Sequence, residues 1–490
     1  MLHSKKRVKA AALLFLFVVI GLRLFYKLGD GRIAVTDEAW YGVNAVEMLR
    51  SGNWLVPTLR GQVDYASKPP LGLRGILIGF VLLGTDLLGL RLYSAVAGLL
   101  TIILICFYLY KKYDIRYSIV AAAVFPALWQ CFEMHMYRAG DMDALFGLFY
   151  LIAMIALSEV QRDKSWMIIV YGAAVGLGFL TKSMHVAVFI VVGVLYLPVI
   201  FRKLKVKELL LAALAAIVPV AIWMIARYRY DGLAYIKSIT LGEAGDQTRG
   251  GLAFEYLRDI SREKVTWILV AVLISRAVAY FVQVRTVKRA GGDLLAWFKE
   301  RYLSILAYLV PIVFYTLAGH YMMWYIDPAY VAVVWIIAIE TVAVVDKIGP
   351  KRLKALYAYA VMLACVFYSV IQIYQYKGLG NGGGAIEQFR NDITEFRTDT
   401  AAEYDGYNAY IAYDRSRYVG NRGHWELDYV FLGEANAYLN CLDGGVEGFL
   451  EDEDSILILD GELWDQYAAQ LTGYVFLEQN TFYVLSHDRY

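Results

Sequence analysis

The chain has 490 residues, 59% of them hydrophobic and only 19% charged, with a mean hydropathy of +0.49. Soluble proteins carry about a quarter charged residues, so this composition excludes an ordinary soluble globular protein. The net charge of +2 comes from short basic clusters between apolar runs, which gives no surface for nucleic acid.

Almost purely apolar windows near 20 residues recur over the first three-quarters and predict a multi-span α-helical membrane protein. The first, 9–26, runs into Arg23 and Phe25 without a small-residue cleavage site and reads as a retained span. Basic clusters follow at 5–7, 111–116, 161–164, 202–207, 285–289 and 346–354. Short cytoplasmic loops are enriched in Lys and Arg. Placing all these clusters inside predicts further spans near 88–110, 117–136, 144–160, 166–181, 184–201, 208–227, 265–284, 302–319, 326–345 and 355–375. The total is about eleven, with a cytoplasmic N-terminus and an extracytoplasmic C-terminus. The apolar stretch 71–86 is short and contains Arg74, so it is expected as an interfacial or re-entrant helix. Of the four cysteines, Cys106, Cys131 and Cys365 fall within spans, and with Cys441 they show no metal-type spacing.

Three non-cytoplasmic features result. In the loop 27–87, "DEAWYGVNAVEMLRSG" is expected as an amphipathic helix on the membrane surface, capped by Thr36 and ended by Gly52. Its apolar stripe is Ala39, Trp40, Val43, Val46 and Leu49, opposite Asn44, Glu47 and Ser51. The loop 228–264 is long, polar and glycine-bearing, as suits a mobile cover. The remainder, 376–490, follows a glycine-rich linker, and its acids outnumber its bases three to one. "YNAYIAY" and "SILILD" read as strands, "YVFLEQNTFYVLS" as a hairpin turning at Gln479-Asn480, and "ELWDQYAAQL" as a helix. The expected organisation is a membrane domain over 1–375 and a small extracytoplasmic α/β domain over 376–490.

This topology brings five polar clusters to one membrane face. Asp37 and Glu38 stand at a helix start, where acids serve as caps or, partly desolvated, as a general base. Lys68 precedes two prolines that begin the short helix; it either snorkels or neutralises a phosphate. Arg138, Asp141 and Asp143 lie in "MYRAGDMDALF", where charges at an apolar boundary need partners or a function. A D-x-D pattern is a weak sign of a divalent cation. His320 and Tyr325 begin the tenth span, as part of an aromatic belt or as phosphate ligands. Lys182 and His185 occupy the turn between spans five and six. Span centres are mostly free of charge and no internal repeat is visible, which favours an enzyme over the alternative, a secondary transporter or lipid flippase.

The order of these motifs is that of a known family. Asp-Glu after the first span, "MLRSGNWLVPTLRGQVDYASKPPLG", "RLYSAVAGLL", "YRAGDMDALF", "GLGFLTKS" and "WYIDPAYVAVV" resemble the membrane glycosyltransferases of family 39. That family includes dolichyl-phosphate-mannose–protein mannosyltransferases and the lipid A aminoarabinose transferase. The resemblance covers about 10–345 and implies a C-type glycosyltransferase. Such an enzyme takes sugar from a polyprenyl-phosphate donor and passes it to a protein, glycolipid or cell-wall acceptor at the non-cytoplasmic face of the plasma membrane. It implies Asp37 as the catalytic acid, with Glu38 beside it, and Lys68 and Tyr325 at the donor phosphate. Arg138 and His320 are possible helpers, and Asp141 or Asp143 supplies a second acidic site. Ser67 stands where zinc-binding relatives often carry an acid, and Asp327 where an apolar residue is usual. No cofactor is required on this reading; a divalent metal is compatible with it.

Overall fold

The computed structural model describes residues 2–30, 33, 36–242, 245, 251–287, 291–348, 350–376, 385–399, 407–413, 426–437, 439–479 and 482–487. The linker 377–384, Asn480 of the expected hairpin turn and most of 243–250 lie outside these residues. Among the described residues nine segments are helical, long and apolar enough to cross a membrane: Arg7–Phe25, Leu87–Lys112, Asp143–Gln161, Met167–Lys203, Val206–Asp231, Lys264–Phe281, Ala296–Ala318, Met323–Lys347 and Lys351–Gln375.

Two local effects account for the difference from eleven. Helices Met167–Lys182 and Ala187–Ile200 are joined by the short 3-10 turn Ser183–Val186 and so count as one continuous apolar run, but Tyr171 Oη donates to the Phe189 carbonyl at 2.9 Å, so the second helix folds back on the first and both expected spans are present. The expected span 117–136 is helical only over Ile115–Val124. It passes into the 3-10 turn Phe125–Ala127 and then the short helix Trp129–Glu133. Pro126 explains the break: it has no N–H to donate, and its ring crowds the preceding turn.

The chain forms two compact units that do not follow sequence order. The first comprises Met1–Tyr26, Ser94–Arg138 and Met142–Tyr376; the second comprises Lys27–Tyr93, Ala139–Asp141 and Lys377–Tyr490. The loop 27–87, assigned from sequence to the membrane domain, thus groups with the C-terminal segment.

In the first unit, Met167–Lys182 packs against Val206–Asp231 and Asp143–Gln161. Gly172 and Gly176 permit a close approach: a Cβ at either would lie 2.2 Å or 2.5 Å from the carbonyl oxygens of Ala212 and Ala216. Two of its buried charges are paired with opposite ones. Glu340 accepts from Arg301 Nε at 2.5 Å and Arg276 Nε at 3.2 Å, and Arg23 reaches Glu133 at 2.6 Å and Gln372 at 2.9 Å.

The second unit contains helix Thr36–Ser51, the small antiparallel hairpin β1 (Thr58–Leu59) and β2 (Gln62–Val63), and helix Pro70–Leu83. It also contains a five-stranded sheet of β3 (Asn408–Ala412), β4 (Asn440–Leu442), β5 (Ser455–Asp460), β6 (Val475–Gln479) and β7 (Phe482–Ser486). The spatial order is β4-β3-β5-β7-β6. β3, β4 and β5 are parallel, with helices Glu426–Ala437 and Gly445–Glu451 as crossovers, and β7 and β6 add an antiparallel hairpin. β5 is buried along its whole length, as its unbroken apolar run requires of a central strand. The helix expected at 462–471 shrinks to a 3-10 turn, Gly461–Leu463, and the four-residue helix Trp464–Tyr467.

Helix Thr36–Ser51 departs most from expectation. It is buried on nearly every side, Asn44 and Glu47 included, rather than lying on a surface with a polar face in water. Helix Glu426–Ala437 packs against it, and Gly42 makes room: a Cβ there would fall 2.6 Å from the Phe431 ring.

Candidate active site

In the second unit, Asp37 and Glu38 occupy the first turn of helix Thr36–Ser51 and have different surroundings. Glu38 is fully buried and takes both arms of the equally buried Arg91, Nε at 2.6 Å and Nη2 at 2.9 Å. Its Oε1 also accepts the backbone N–H of Gly140 at 2.9 Å. Arg91 Nη1 donates to the carbonyls of Leu28 and Asp30, each at 3.1 Å. Glu38 therefore fastens the start of the helix to the segment 139–141 and to the chain around 28–30. Its carboxylate is saturated by these bonds, which fits positioning rather than proton transfer.

Asp37 stays half-buried. The Gly140 contact brings the 139–141 segment beside it, and a carboxylate oxygen of Asp141 lies within 4.8 Å of one of Asp37. Tyr93 donates its hydroxyl proton to the Asp141 carbonyl and fixes that segment from another side. Two carboxylates this close favour a cation or a shared proton between them, so the pair suits a divalent ion by charge.

Lys68 is placed by a polar network along the same helix. Asp64 accepts from Trp40 Nε1 at 2.5 Å and Asn44 Nδ2 at 3.1 Å, and also from the backbone N–H groups of Ala66 and Ser67. Ser67 Oγ donates to Asn44 Oδ1 at 2.8 Å. Asn44 stands seven residues after Asp37, on the same helix face and about 10 Å along the axis. Ser67, where zinc-binding relatives often carry an acid, is thus a structural tie that anchors the backbone immediately before Lys68.

The first unit holds the other expected residues. Asp143 and Lys182 form a buried ion pair at 2.5 Å, and Lys182 lies 5.2 Å from the Tyr325 ring centre. His185 Nδ1 meets the Tyr315 hydroxyl at 2.8 Å, and the His185 and His320 rings flank Tyr325 at 4.6 and 6.0 Å. Asp141 and Asp143, joined in one sequence motif, thus have separate environments: one beside a carboxylate, the other matched to a lysine. The carboxyl of Asp327 is fully buried and accepts from Gln130 Nε2 at 2.7 Å, so it is an internal strut.

Arg138 requires a correction. Its Nη1 donates to the carbonyls of Arg23 at 2.6 Å and Leu24 at 3.2 Å, and Nη2 to that of Tyr26 at 2.7 Å, while the guanidinium lies 4.1 Å from the Tyr376 ring centre. These are the unsatisfied carbonyls at the end of the first helix. The guanidinium expected at a donor phosphate is instead buried as a helix cap.

The loop expected as a mobile cover is partly pinned. Helix Glu255–Arg262 buries Tyr256, whose hydroxyl donates to Met322 O at 3.2 Å, and Asp259 accepts from Tyr321 at 2.5 Å. The sequence reading overlooked Arg91 and Gly140. An arginine within the apolar run 87–100 was itself a signal, since a buried cation requires a matched acid.

Likenesses to known proteins exist at the level of a family model, of sequence and of fold. The family model described as dolichyl-phosphate-mannose-protein mannosyltransferase matches residues 67–223. Undecaprenyl phosphate-alpha-4-amino-4-deoxy-L-arabinose arabinosyl transferase of Pseudomonas savastanoi is 29% identical over 241 residues, 47% of this chain and 43% of that protein. A second transferase of that description, from Pseudomonas fluorescens, is 26% identical over 340 residues, 65% of this chain and 54% of its own. The chain thus spans about half the length of these sequence relatives. Among solved structures, ArnT from Cupriavidus metallidurans bound to undecaprenyl phosphate has a TM-score of 0.68 at 14% identity, over 97% of this chain and 98% of that one. The archaeal oligosaccharyltransferase AglB from Archaeoglobus fulgidus, in complex with an inhibitory peptide and a dolichol-phosphate, has a TM-score of 0.51 at 13% identity, over 99% and 75%. The structural likenesses establish the shared fold.

Proposed function

We infer that this chain, a relative of the C-type membrane glycosyltransferases, moves a sugar from a polyprenyl-phosphate donor to an acceptor at the non-cytoplasmic face of the plasma membrane. The observation that carries this reading is Asp37, half-exposed beside Asp141 on a helix start held rigid by the Glu38–Arg91–Gly140 clamp. Rigid support of one accessible carboxylate is what a general base needs, since its proton acceptor must keep its place through the reaction.

The chemistry follows from charge. Breaking the anomeric C–O bond leaves the electron pair and a growing negative charge on the lipid phosphate, so a cation at the phosphate oxygens lowers the barrier. Lys68 is the cation for that role. Asp37 takes the proton of an acceptor hydroxyl as its oxygen attacks from the opposite face, inverting the anomeric centre. If a divalent ion is needed, Asp37 and Asp141 would hold it, and it would add positive charge to the site. The basic loops support a cytoplasmic N-terminus and an extracytoplasmic second unit.

The test is transfer or release of radiolabel from polyprenyl-phosphate sugars by the purified protein, with and without a chelator. Asp37→Asn is expected to abolish transfer while donor binding and melting temperature remain; full activity in that variant would overturn the reading. Loss of activity in chelator, restored by added divalent ion, would assign the ion to the site.

A further inference from the structure

Around the carboxyl ends of β3 and β4 lies a cavity of about 400 Å³ that involves none of the residues given a role above. Tyr413 lines it after β3, Asp443 and Glu447 after β4, Tyr467 and Gln470 after β5, and Arg60 from the β1–β2 turn. In the order β4-β3-β5, the chain leaves β3 towards β4 and then returns to β5 on the opposite side of β3. Such a reversal opens a crevice beyond the strand ends, and open α/β sheets bind ligands there. The volume falls in the lower part of the small-molecule range of about 300–1,000 Å³.

The lining indicates the ligand's chemistry. Arg60 and Asp443 are paired as a salt bridge, which leaves the exposed Glu447 as the unbalanced charge among the described lining residues. A net negative lining disfavours phosphates and carboxylates. Leu463 and the half-buried ring of Tyr467 give an apolar wall, the Gln470 amide both donates and accepts, and Glu447 accepts from hydroxyl or ammonium groups, while the Tyr413 ring stacks on Tyr429 with centres 4.9 Å apart. An apolar face combined with hydrogen-bonding groups matches a sugar ring.

We propose that this crevice is a carbohydrate-binding subsite for one or two neutral or amino-bearing sugar units, separate from the transfer chemistry. It rests on the proposed function only insofar as a sugar-bearing acceptor gives it a purpose, and its test needs no turnover. The full chain in detergent is titrated with a neutral monosaccharide, an amino sugar and a sugar phosphate, and binding is read by saturation-transfer NMR. The neutral and amino sugars are expected to bind saturably and more tightly than the sugar phosphate. Binding should persist in Asp37→Asn and weaken at least tenfold in Glu447→Ala and Gln470→Ala, both exposed positions whose melting temperatures should be unchanged. Tyr467→Phe keeps the ring and should weaken binding less than either. Absence of saturable binding, preference for the sugar phosphate, undiminished binding in both alanine variants, or loss of binding in Asp37→Asn would each overturn the proposal. If transfer fails while crevice binding holds, the proposed function falls and this subsite stands.

Discussion

Complete burial of Arg91 is costly unless its guanidinium is matched, and Glu38 matches it with two bonds of 2.6 and 2.9 Å. Removing one partner of such a pair leaves an uncompensated buried charge, at a cost of about 3–5 kcal/mol. Glu38→Gln is therefore expected to lower the melting temperature sharply and to reduce transfer as a consequence. Arg91→Lys should not preserve stability, because an ammonium cannot reproduce the two-armed contact or reach the carbonyls of Leu28 and Asp30 as well. Asp37→Asn should show the converse, a lost reaction with an unchanged melt. If Glu38→Gln melts like the wild type yet loses transfer, Glu38 takes part in the chemistry itself. Arg138 gives a second contrast. Because its N–H groups end the first helix, Arg138→Ala should destabilise the protein by about 1–3 kcal/mol through the exposed deficit of buried carbonyls, with the donor KM nearly unchanged. Lys68→Ala should instead raise the donor KM with little change in melting. A large KM increase in folded Arg138→Ala would return that arginine to the phosphate.

Helix Thr36–Ser51 is held by a contact that its own sequence cannot reveal. Gly42 fits against the Phe431 ring, where a Cβ would lie at 2.6 Å, so Gly42→Ala must displace either the ring or the helix. Overpacking of this kind costs about 1–3 kcal/mol. The clashing atoms are the end of a side chain, so Phe431→Leu in the Gly42→Ala background should recover much of the loss. Thermal melts of the two single variants and the double variant measure this, and strict additivity would refute the contact. Here the limits of the sequence are plain. Span positions were legible because apolar length is a local property, and the break at Pro126 could have been read from the same stretch. The burial of Asn44 and Glu47 was not legible: their spacing describes a polar face, but Asn44 bonds Thr58, Asp64 and Ser67 and Glu47 accepts from Gly61, so the segment 58–67 folds back over that face, while the opposite face at Gly42 meets Phe431 almost 400 residues later in the chain. The site divides in the same way. Asp37 and Lys68 could be found from motif order, whereas the pairing of Asp143 with Lys182 and the setting of Asp141 near Asp37 depend on packing between distant segments.

At the scale of the molecule, the second unit joins an N-terminal loop to a C-terminal α/β fold, and its stability carries a pH dependence set where these segments meet. Glu434 on helix Glu426–Ala437 is fully buried, and neither of its carboxylate oxygens has a hydrogen-bond partner of normal geometry among the described residues. Burial raises its pKa well above the usual carboxylate range, and the nearby Glu47 raises it further. Glu47 is raised too, chiefly by burial, although the N–H of Gly61 and the Arg50 charge oppose the shift. Arg50 bonds the carbonyls of Leu439 and Glu434, so this cation is directed mainly at the backbone. The sign follows from these directions. A carboxyl with a folded pKa above its unfolded value, about 4.3, binds its proton more tightly in the native state. Its stabilising effect is complete below the unfolded value and is lost as pH rises through the folded one. The full-length protein in detergent should therefore melt at progressively lower temperature as pH is raised from about 4 towards neutrality, to the extent that Glu434 and Glu47 dominate. Glu434→Gln keeps the shape and removes the titration, so it should flatten that slope and raise the melting temperature at neutral pH, where the wild type must bury a charge or retain a proton. Glu47→Gln should flatten it less, since Glu47 is less deeply buried and partly compensated. An unchanged slope in Glu434→Gln would show that this carboxyl does not set the pH dependence.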